Sequence, residues 1–222
     1  MNSKAISVAG AVEMIPDGAR LMIGGFLGVG SPHRIIDGLV RQGRTQLTVI
    51  ANDTARPGVG IGKLIDAKLV RKAVVSHIGT NPETQRQMIA GDLEVELVPQ
   101  GTLAECIRAA GHGLGGVLTP TGIGTIVAEG KRTVEIDGQP YLLELPVKAD
   151  FALLAAQRAD YQGNLEYALT ARNFNPVMAM AATTVIAEPK EIVPVGMIPP
   201  DAVVTPYVLV DYLIERERMH GR

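Results

Sequence analysis

The chain has 222 residues, of which 46% are hydrophobic, and it carries a formal net charge of −2. That length can bury a large core, while the near-neutral charge and the lack of a Lys/Arg run exclude an electrostatic case for nucleic-acid binding. A single cysteine, Cys106, excludes an internal disulfide, and the histidines are scattered without ligand spacing, so we expect no metal site.

We expect neither a targeting segment nor a membrane-spanning segment in this sequence. Glu13, Pro16 and Asp17 interrupt the apolar N-terminal stretch, which therefore lacks the layout of a secretory signal. Residues 112–128 contain no Asp, Glu, Lys or Arg, but glycines and a proline interrupt them, unlike the span of about 20 apolar residues that crosses a membrane. We therefore expect a soluble protein of the cytoplasm.

Short apolar runs and amphipathic stretches alternate through the first half of the chain. The apolar runs are rich in β-branched residues and are typical of strands buried in a parallel sheet. They lie at Leu21–Ile23, Leu47–Ala51, Ala73–Ser76 and Leu93–Val98. Repeated alternation of strand and helix predicts an α/β fold with an open, largely parallel sheet and helices on both faces.

Three helices between these strands are predicted from their start and stop residues. Ser31-Pro32 offer an N-cap and a first helical residue for a helix that stops near Gly43. Asn81-Pro82 and Gly91 bound the second helix in the same way, and the third covers Thr102–Ala110.

The second half changes character. Asp137-Gly138 between two strand-like runs is a strong signal for a β-hairpin, which we place as an excursion from the sheet near 131–146. Phe151–Ala155 and Thr184–Ala187 are typical of further core strands, and Asp211–Arg218 of a closing helix. Because no repeat or linker separates these parts, we interpret residues 1–222 as one domain.

Two candidate motifs are set aside because of their context. Gly111–Gly116 has the G-x-G-x-x-G spacing of a dinucleotide-binding loop, but it follows a predicted helix and leads into Val117–Pro120 instead of a second helix. Cys106 lies on an amphipathic segment beside Ile107, and we interpret it as a small buried hydrophobic residue and not as a nucleophile.

Polar or glycine residues follow each of the four predicted strands of the first half. Because the carboxyl ends of parallel strands meet at one edge of a sheet, where ligands gather, we expect these segments to form a shared rim. The alternative is that they are ordinary turns, in which Gly, Asn and Thr are common. The segments are Gly24-Gly25-Phe26, Asn52-Asp53-Thr54, His77-Ile78-Gly79-Thr80-Asn81 and Pro99-Gln100-Gly101-Thr102.

The first of these segments opens a glycine-rich loop. A predicted buried strand runs into Gly24-Gly25, and Gly28 and Gly30 follow before Ser31-Pro32. Glycine has no Cβ and tolerates positive φ, so this backbone can approach a ligand closely.

The stretch Asp17–Pro32 closely resembles the Asp-Gly…Gly-Gly-Phe-x-x-x-Gly-x-Pro signature of the α subunits of family I coenzyme A (CoA) transferases. Further matches follow in the family's order. Val98–Arg108 resembles the segment around the family's active-site glutamine, Thr119–Thr125 its Pro-Thr-Gly loop, and Ala171–Pro176 its late Arg-Asn-Phe segment. Ser76–Thr84 is more similar to the acetate/acetoacetate branch than to the 3-oxoadipate branch.

The resemblance implies the fold that CoA transferases share with sugar-phosphate isomerases, and a covalent route for CoA transfer. In this family a glutamate attacks the acyl-CoA thioester and the reaction passes through a glutamyl-CoA intermediate. That glutamate belongs to the β subunit, within a Glu-Asn-Gly motif, and no Glu-Asn-Gly occurs in this chain. The resemblance therefore implies an α subunit that needs a β subunit, in an α2β2 heterotetramer, with a CoA thioester as substrate and no cofactor.

The resemblance also implies roles for particular residues. Gln100 and Asn52 would hydrogen-bond around the partner's glutamate and the acyl carbonyl. Glu83 and Glu105 fall on predicted helices, and we interpret them as ordinary helix carboxylates and not as nucleophiles. The residues expected to bind substrate or CoA are Gly24, Gly25, Phe26, Gly28 and Gly30.

The identity of the acid substrate stays open at this point. The resemblance favours transfer of CoA between short-chain acids of the acetate/acetoacetate type. The alternatives are a 3-oxoadipate or succinyl-CoA:3-oxoacid transferase, and a non-catalytic ligand-binding domain on the same scaffold. The late segment Arg172–Pro176 has no assigned role.

Overall fold

A computed structural model describes residues 4–215, in which the strands form one nine-stranded and one three-stranded sheet. The strands are β1 (Ala5–Ile6), β2 (Arg20–Ile23), β3 (Leu47–Ile50), β4 (Val70–Val75), β5 (Glu94–Leu97), β6 (Val117–Thr119), β7 (Thr133–Ile136), β8 (Gln139–Glu144), β9 (Ala149–Asp160), β10 (Leu165–Glu166), β11 (Ala182–Val193) and β12 (Tyr212–Ile214).

The α-helices connect these strands on both sides of the larger sheet. They are α1 (Val8–Glu13), α2 (His33–Gln42), α3 (Gly62–Asp66), α4 (Pro82–Ala90), α5 (Gln100–Gly111) and α6 (Asn175–Met178). Short 3-10 helices lie at Ile126–Ala128, Leu169–Ala171, Pro200–Ala202 and Tyr207–Leu209. Within residues 4–215, none of the helices has the length and apolar character needed to cross a membrane.

The larger sheet has the strand order β1-β12-β11-β9-β2-β3-β4-β5, and each pair of neighbours on this path is parallel. β10 pairs with β9 off this path and is antiparallel to it. The prediction of an open, largely parallel sheet is confirmed. The four strands predicted in the first half of the chain are β2, β3, β4 and β5, which are adjacent and in chain order.

Helices cover both faces of this sheet because consecutive strand residues point to opposite sides. Leu21 and Ile23 of β2 pack in one core cluster with residues of α1, α2 and α3. Met22 packs on the other side with Leu103 of α5 and Met178 of α6. All three β2 residues are fully buried, as expected of a strand that is covered on both faces.

β9 and β11 are each several residues longer than the predicted runs Phe151–Ala155 and Thr184–Ala187, and they pair with each other along their length. β2 pairs with β9 only as far as Ile23 opposite Leu153. The last parts of β9 and β11 therefore extend past the end of β2 and form a wall beside the glycine loop.

The predicted hairpin is confirmed. β7 and β8 are joined by the two-residue turn Asp137-Gly138, with φ of 51° and 74°. Two consecutive positive φ angles are what a two-residue hairpin turn of type I′ requires. β6 pairs with β8 as the third strand of this small antiparallel sheet.

The closing helix predicted at Asp211–Arg218 is wrong for the described residues. Tyr212–Ile214 form β12, a parallel strand between β11 and β1. Leu213 packs into the core on one face of the sheet and Ile214 into the core on the other, which is the two-residue period of a strand. Residues 216–218 lie outside the described residues.

The start of α2 also differs from the predicted one, because Ser31 does not cap it. The backbone N–H groups of Arg34 and Ile35 donate instead to the carboxylate of Glu188 on β11, at 3.1 and 2.9 Å. Since Glu188 is distant in sequence, no local pattern predicts this cap. The end of α2 at Gly43 and both ends of α4 are confirmed.

Candidate active site

The carboxyl ends of β2, β3, β4 and β5 lie side by side, as the predicted rim requires. The segments after β3 and β4 stay in contact past the strands, through a parallel bridge between Asp53 and His77. After β5 the chain enters α5 at Gln100. In the structure the rim comprises residues 24–31, 52–55, 76–81 and 99–102, which include the four predicted segments.

Two predicted site residues, Gln100 and Asn52, meet at the rim. The Nε2 of Gln100 donates a hydrogen bond to the Oδ1 of Asn52, and so links the segments after β5 and β3. The Nδ2 of Asn52 in turn donates to the Oδ2 of Asp53 at 2.6 Å. Asn52 is buried and Gln100 is exposed. A chain of hydrogen bonds thus runs from a buried carboxylate to an exposed amide, and we call these three side chains the amide relay.

Asp53 was predicted to lie at the rim, but no role for it follows from the sequence. It is 3% exposed, and its two oxygens also accept hydrogen bonds from the backbone N–H groups of Leu27 at 3.0 Å and Ala55 at 2.7 Å. Asp53 therefore ties the glycine loop after β2 to the segment after β3.

The glycine loop folds back on itself in a tight turn. The backbone groups of Phe26 and Val29 bond to each other in both directions, at 2.9 Å. Between them, Leu27 and Gly28 have φ of 50° and 90°, both in the left-handed region. A similar bridge joins the ends of segment 56–59 after β3. The ends of β2 and β3 thus carry a pair of narrow turns.

Gly24 and Gly25 are required by the packing of the loop itself. A Cβ on Gly24 would overlap the side-chain amide of Asn175. A Cβ on Gly25, which has φ of 135°, would overlap the hydroxyl of Ser31. The N–H groups of both glycines also donate hydrogen bonds, that of Gly24 to a backbone carbonyl of β9 at 3.0 Å and that of Gly25 to the Oδ1 of Asn173 at 3.1 Å. The close approach at these two positions is to the protein's own groups, and their part in ligand binding stays a prediction.

Other groups of the loop are either unpaired or exposed, although Gly28 itself is buried. Among residues 4–215, the N–H groups of Gly28 and Gly30 have no hydrogen-bond acceptor. The side chains of Phe26 and Val29 are 44% and 50% exposed. Gly28 also lies against Val59 of the neighbouring turn, which is 39% exposed.

Asn173 and Asn175 hold the loop from the side of α6, and we call this pair the asparagine clamp. The Asn173 amide accepts from the N–H of Gly25 at 3.1 Å and donates to the carbonyl of Val29 at 3.0 Å. The fully buried Asn175 amide donates to the carbonyl of Gly30 at 3.0 Å and accepts from the backbone of β9 at 3.0 Å. The late Arg-Asn-Phe segment, which had no role assigned from its sequence, thus fixes the glycine loop.

Two hollows adjoin the rim. A cavity of about 640 Å³ lies between the glycine loop and the extensions of β9 and β11, and its wall includes Arg34, Glu188 and Lys190. Burial raises the pKa of Glu188, while the hydrogen bonds that it accepts from the N–H groups of α2 act in the opposite direction and lower it. A groove of about 600 Å³ runs along α5 past Gly101, next to Gln100.

The glutamates on α4 and α5 form surface ion pairs, in agreement with their interpretation as helix carboxylates. Two nitrogens of Arg86 donate to Glu83 at 2.8 and 2.6 Å and lower its pKa to about 2. Arg108 contacts Glu105 in the same way and also lowers its pKa. Both carboxylates are already engaged on their own helices.

Cys106 is buried, as predicted, with 2% of its surface exposed. Burial raises the pKa of its thiol to about 11, so the thiol is protonated at neutral pH and is a poor nucleophile. Within the described part of the chain, no group of three or more His, Cys, Asp or Glu side chains is arranged to hold a metal ion.

Comparison with known proteins decides the family. The sequence model of the family described as "Coenzyme A transferase" matches residues 5–216. The chain belongs to the coenzyme A transferase family. This CoA transferase is 52% identical over 214 residues to the acetate CoA-transferase subunit alpha of Escherichia coli K12, covering 96% of this chain and 97% of that one. It is 48% identical to the acetoacetyl-CoA:acetate/butyrate CoA transferase alpha subunit of Clostridium acetobutylicum, covering 97% and 99%.

The fold of this CoA transferase is also found among solved structures. An acyl-CoA transferase (YdiF) from E. coli O157:H7, in a thioester complex with CoA, matches 96% of this chain with a TM-score of 0.85 and 24% sequence identity. The CoA transferase chain described here spans 50% of that longer chain. At this identity the likeness shows the shared fold.

Proposed function

We propose that this CoA transferase chain is the α subunit of a heteromeric enzyme that moves CoA from an acyl-CoA to a short-chain acid of the acetate/acetoacetate type. Two relatives of matching length support this choice of acid, since they are named as the alpha subunits of an acetate CoA-transferase and of an acetoacetyl-CoA:acetate/butyrate CoA transferase. The observation that carries the proposal is the Gln100–Asn52 pair at the rim, in a chain that contains no Glu-Asn-Gly.

In the proposed reaction the nucleophile is a glutamate of the β subunit, and no cofactor is needed besides the CoA thioester substrate. The carboxylate attacks the thioester carbonyl, the C–S bond breaks, CoA departs as a thiolate, and an acyl-glutamyl anhydride remains on the β subunit. The thiolate then attacks the glutamyl carbonyl and releases the first acid as a carboxylate. The resulting glutamyl-CoA reacts with the second acid by the same two steps in reverse.

Gln100 supplies a hydrogen-bond donor to this chemistry. One Nε2 hydrogen of Gln100 is engaged by Asn52, so the second one is available to an oxyanion that develops on the reacting carbonyl. A neutral amide also leaves the partner's glutamate ionised, whereas a second carboxylate at this position would raise the pKa of one of the two acids.

The exposed apolar side chains beside the rim offer a surface for the β subunit. Phe26, Val29 and Val59 are exposed on the two neighbouring turns, and grouped apolar side chains on a surface mark interaction sites. In the proposed assembly, an α2β2 heterotetramer of the cytoplasm, the β subunit covers these turns and places its glutamate near Gln100.

Reconstitution tests the proposed function. The chain is purified alone and together with a β subunit that carries Glu-Asn-Gly, and CoA transfer from acetoacetyl-CoA to acetate, butyrate, succinate and 3-oxoadipate is measured. We expect no turnover from the chain alone, and transfer to acetate and butyrate by the assembled enzyme. Robust turnover by the purified chain alone would contradict the subunit role, and a preference for the dicarboxylic acids would contradict the proposed acid class.

A further inference from the structure

Asp53 is a buried carboxylate that the proposed reaction does not use. It is 3% exposed, and it forms no ion pair with a basic side chain among residues 4–215. A buried carboxylate is costly unless its oxygens are hydrogen-bonded. Three donors meet this need: the backbone N–H groups of Leu27 and Ala55, and the side-chain Nδ2 of Asn52. All three partners are donors, so Asp53 acts only as an acceptor.

An acceptor at this position fixes which way the two amides point. The Nδ2 of Asn52 must face Asp53, at 2.6 Å, and the Oδ1 of Asn52 therefore faces Gln100. Gln100 must then present its Nε2 to Asn52. The direction of the second Nε2 hydrogen, the one left for a ligand, is thus set by a carboxylate two side chains away.

The same carboxylate holds the tight turn of the glycine loop. The N–H that reaches Asp53 at 3.0 Å belongs to Leu27, inside the turn between Phe26 and Val29. Leu27 has φ of 50°, a conformation that leucine rarely adopts and that needs support from its surroundings. Asp53 therefore connects the amide relay and the glycine loop through one group.

We propose that Asp53 is a positioning residue of the rim, which orients Gln100 through Asn52 and fixes the turn at Leu27. This inference rests on the proposed function, because it assigns to Asp53 an effect on the donor that Gln100 offers to the reacting carbonyl. Asp53 itself contacts neither the substrate nor the partner's glutamate.

The isosteric change Asp53→Asn, made in the assembled αβ enzyme, tests this role. The new NH₂ group must face either the N–H of Ala55 on one side or the N–H of Leu27 and the Nδ2 of Asn52 on the other. Either placement sets donor against donor, so a single orientation of the relay is no longer enforced. We expect kcat to fall roughly 10- to 100-fold, as for a misplaced donor, while KM for the acyl-CoA changes less than about threefold.

Asp160→Asn is the matched control. Asp160 is also 3% exposed, and it accepts three backbone N–H groups and the Nδ2 of Asn164, the last at 2.7 Å. It lies at the far end of β9, on the order of 20 Å past Leu153 at about 3.3 Å per residue. We expect Asp160→Asn to lower the free energy of unfolding and to leave kcat unchanged. Equal kcat losses in the two variants would overturn the proposal.

A double-variant cycle separates positioning from loss of stability. If Asp53 acts through Gln100, Asp53→Asn adds little to the kcat loss of Gln100→Ala, whereas losses that multiply would overturn the proposal. Should Asp53→Asn fail to assemble with the β subunit, Asn52→Ala interrupts the relay at its middle. The same non-additivity with Gln100→Ala is then expected, and a wild-type kcat for Asn52→Ala would overturn the proposal.

The outcome for Gln100→Ala alone tells the two proposals apart. A wild-type kcat for that variant would refute the proposed role of Gln100 and, with it, the inference drawn for Asp53. A large kcat loss for Gln100→Ala together with a wild-type kcat for Asp53→Asn would refute the inference alone and leave the proposed function standing.

Discussion

Among single residues, Gln100 stands out because its side chain is exposed while its amide is held in one orientation by a buried partner. Exposure lets it meet a ligand or the β subunit, and the bond to Asn52 removes the freedom to turn away. A donor that is oriented before the reaction needs no reorganisation when charge develops. This is the contribution that we propose for the α chain.

Substitutions of Gln100 measure that contribution. We expect Gln100→Ala to lower kcat of the assembled enzyme roughly 10- to 1000-fold, the upper end being typical of a lost oxyanion donor. Gln100→Glu should be at least as damaging, and its loss should depend on pH because the pKa of one of two neighbouring carboxylates is raised. Assembly with the β subunit, followed by size-exclusion chromatography, should be unchanged; near-wild-type kcat in both variants would remove Gln100 from the site.

Two glycines with positive φ are expected to respond very differently to substitution. Gly25→Val should abolish assembly or activity, because even the first atom of the new side chain overlaps the hydroxyl of Ser31. Gly43 ends α2 at φ of 65°, and nothing lies within 4 Å of the position of a Cβ there. Gly43→Ala should therefore lower the free energy of unfolding by only about 1 kcal/mol. Activity with the β subunit and urea unfolding check both, and equal activities would contradict the assignment of Gly25 to the rim.

The position of the site residues could be predicted, but their bonding could not. Asn52 and Gln100 follow predicted strands, and a parallel sheet brings strand ends together, so their meeting follows from the alternation of strands and helices. The roles of Asp53 and Asn175 depend on contacts with the glycine loop. Asn175 is 145 residues away from the Gly30 carbonyl that it binds, and no local pattern encodes that pairing.

Among the elements, the end of β2 and the start of α6 are fitted to each other. The space that a Cβ of Gly24 would occupy is filled by the buried amide of Asn175. That amide also satisfies the Gly30 carbonyl and an N–H of β9, so it joins three parts of the chain. The glycine loop therefore depends on α6 for its shape.

This fit predicts that substitutions at the two positions are coupled. Gly24→Ala should destabilise by on the order of 2 kcal/mol through overpacking, and Asn175→Ala by on the order of 3 kcal/mol because buried groups lose their partners. In the double variant the new methyl group enters the vacated space, so the total should be less than the sum by at least about 1 kcal/mol. Urea unfolding measures each free energy.

Gly43→Ala provides the control for that cycle, because nothing lies within 4 Å of the position of its Cβ. Combined with Asn175→Ala, it should give an additive loss of stability. Additivity in the Gly24 pair as well would show that the Asn175 amide does not limit the space at Gly24.

The predicted elements succeed where the signal is local and fail where it is not. α4 is bounded as expected because Asn81 accepts from the N–H groups of Glu83 and Thr84, and Gly91 adopts the left-handed conformation. α2 instead takes its cap from Glu188, and the C-terminal segment becomes β12 because β1 and β11 provide edges for it. Such long-range partners override local preference.

In the molecule as a whole, the glycine loop lies between the amide relay on one side and the wall of β9 and β11 on the other. The asparagine clamp, Asp53 and the turn of residues 56–59 contact the glycine loop from different directions. The cavity and the groove lie beside the loop. The chain offers oriented donors and an exposed apolar edge, and the proposed reaction takes its nucleophile from the β subunit. In the proposed enzyme this chain therefore supplies one part of the active site and the β subunit supplies the other.

The most direct measurement of this division of labour is the location of the covalent intermediate. The assembled enzyme is incubated with acetoacetyl-CoA without an acceptor acid, and the intact masses of both subunits are measured. We predict that CoA becomes covalently attached to the β subunit, that added acetate removes it, and that the chain described here keeps its unmodified mass. Covalent CoA on this chain, or transfer of CoA with no adduct on either subunit, would contradict the account.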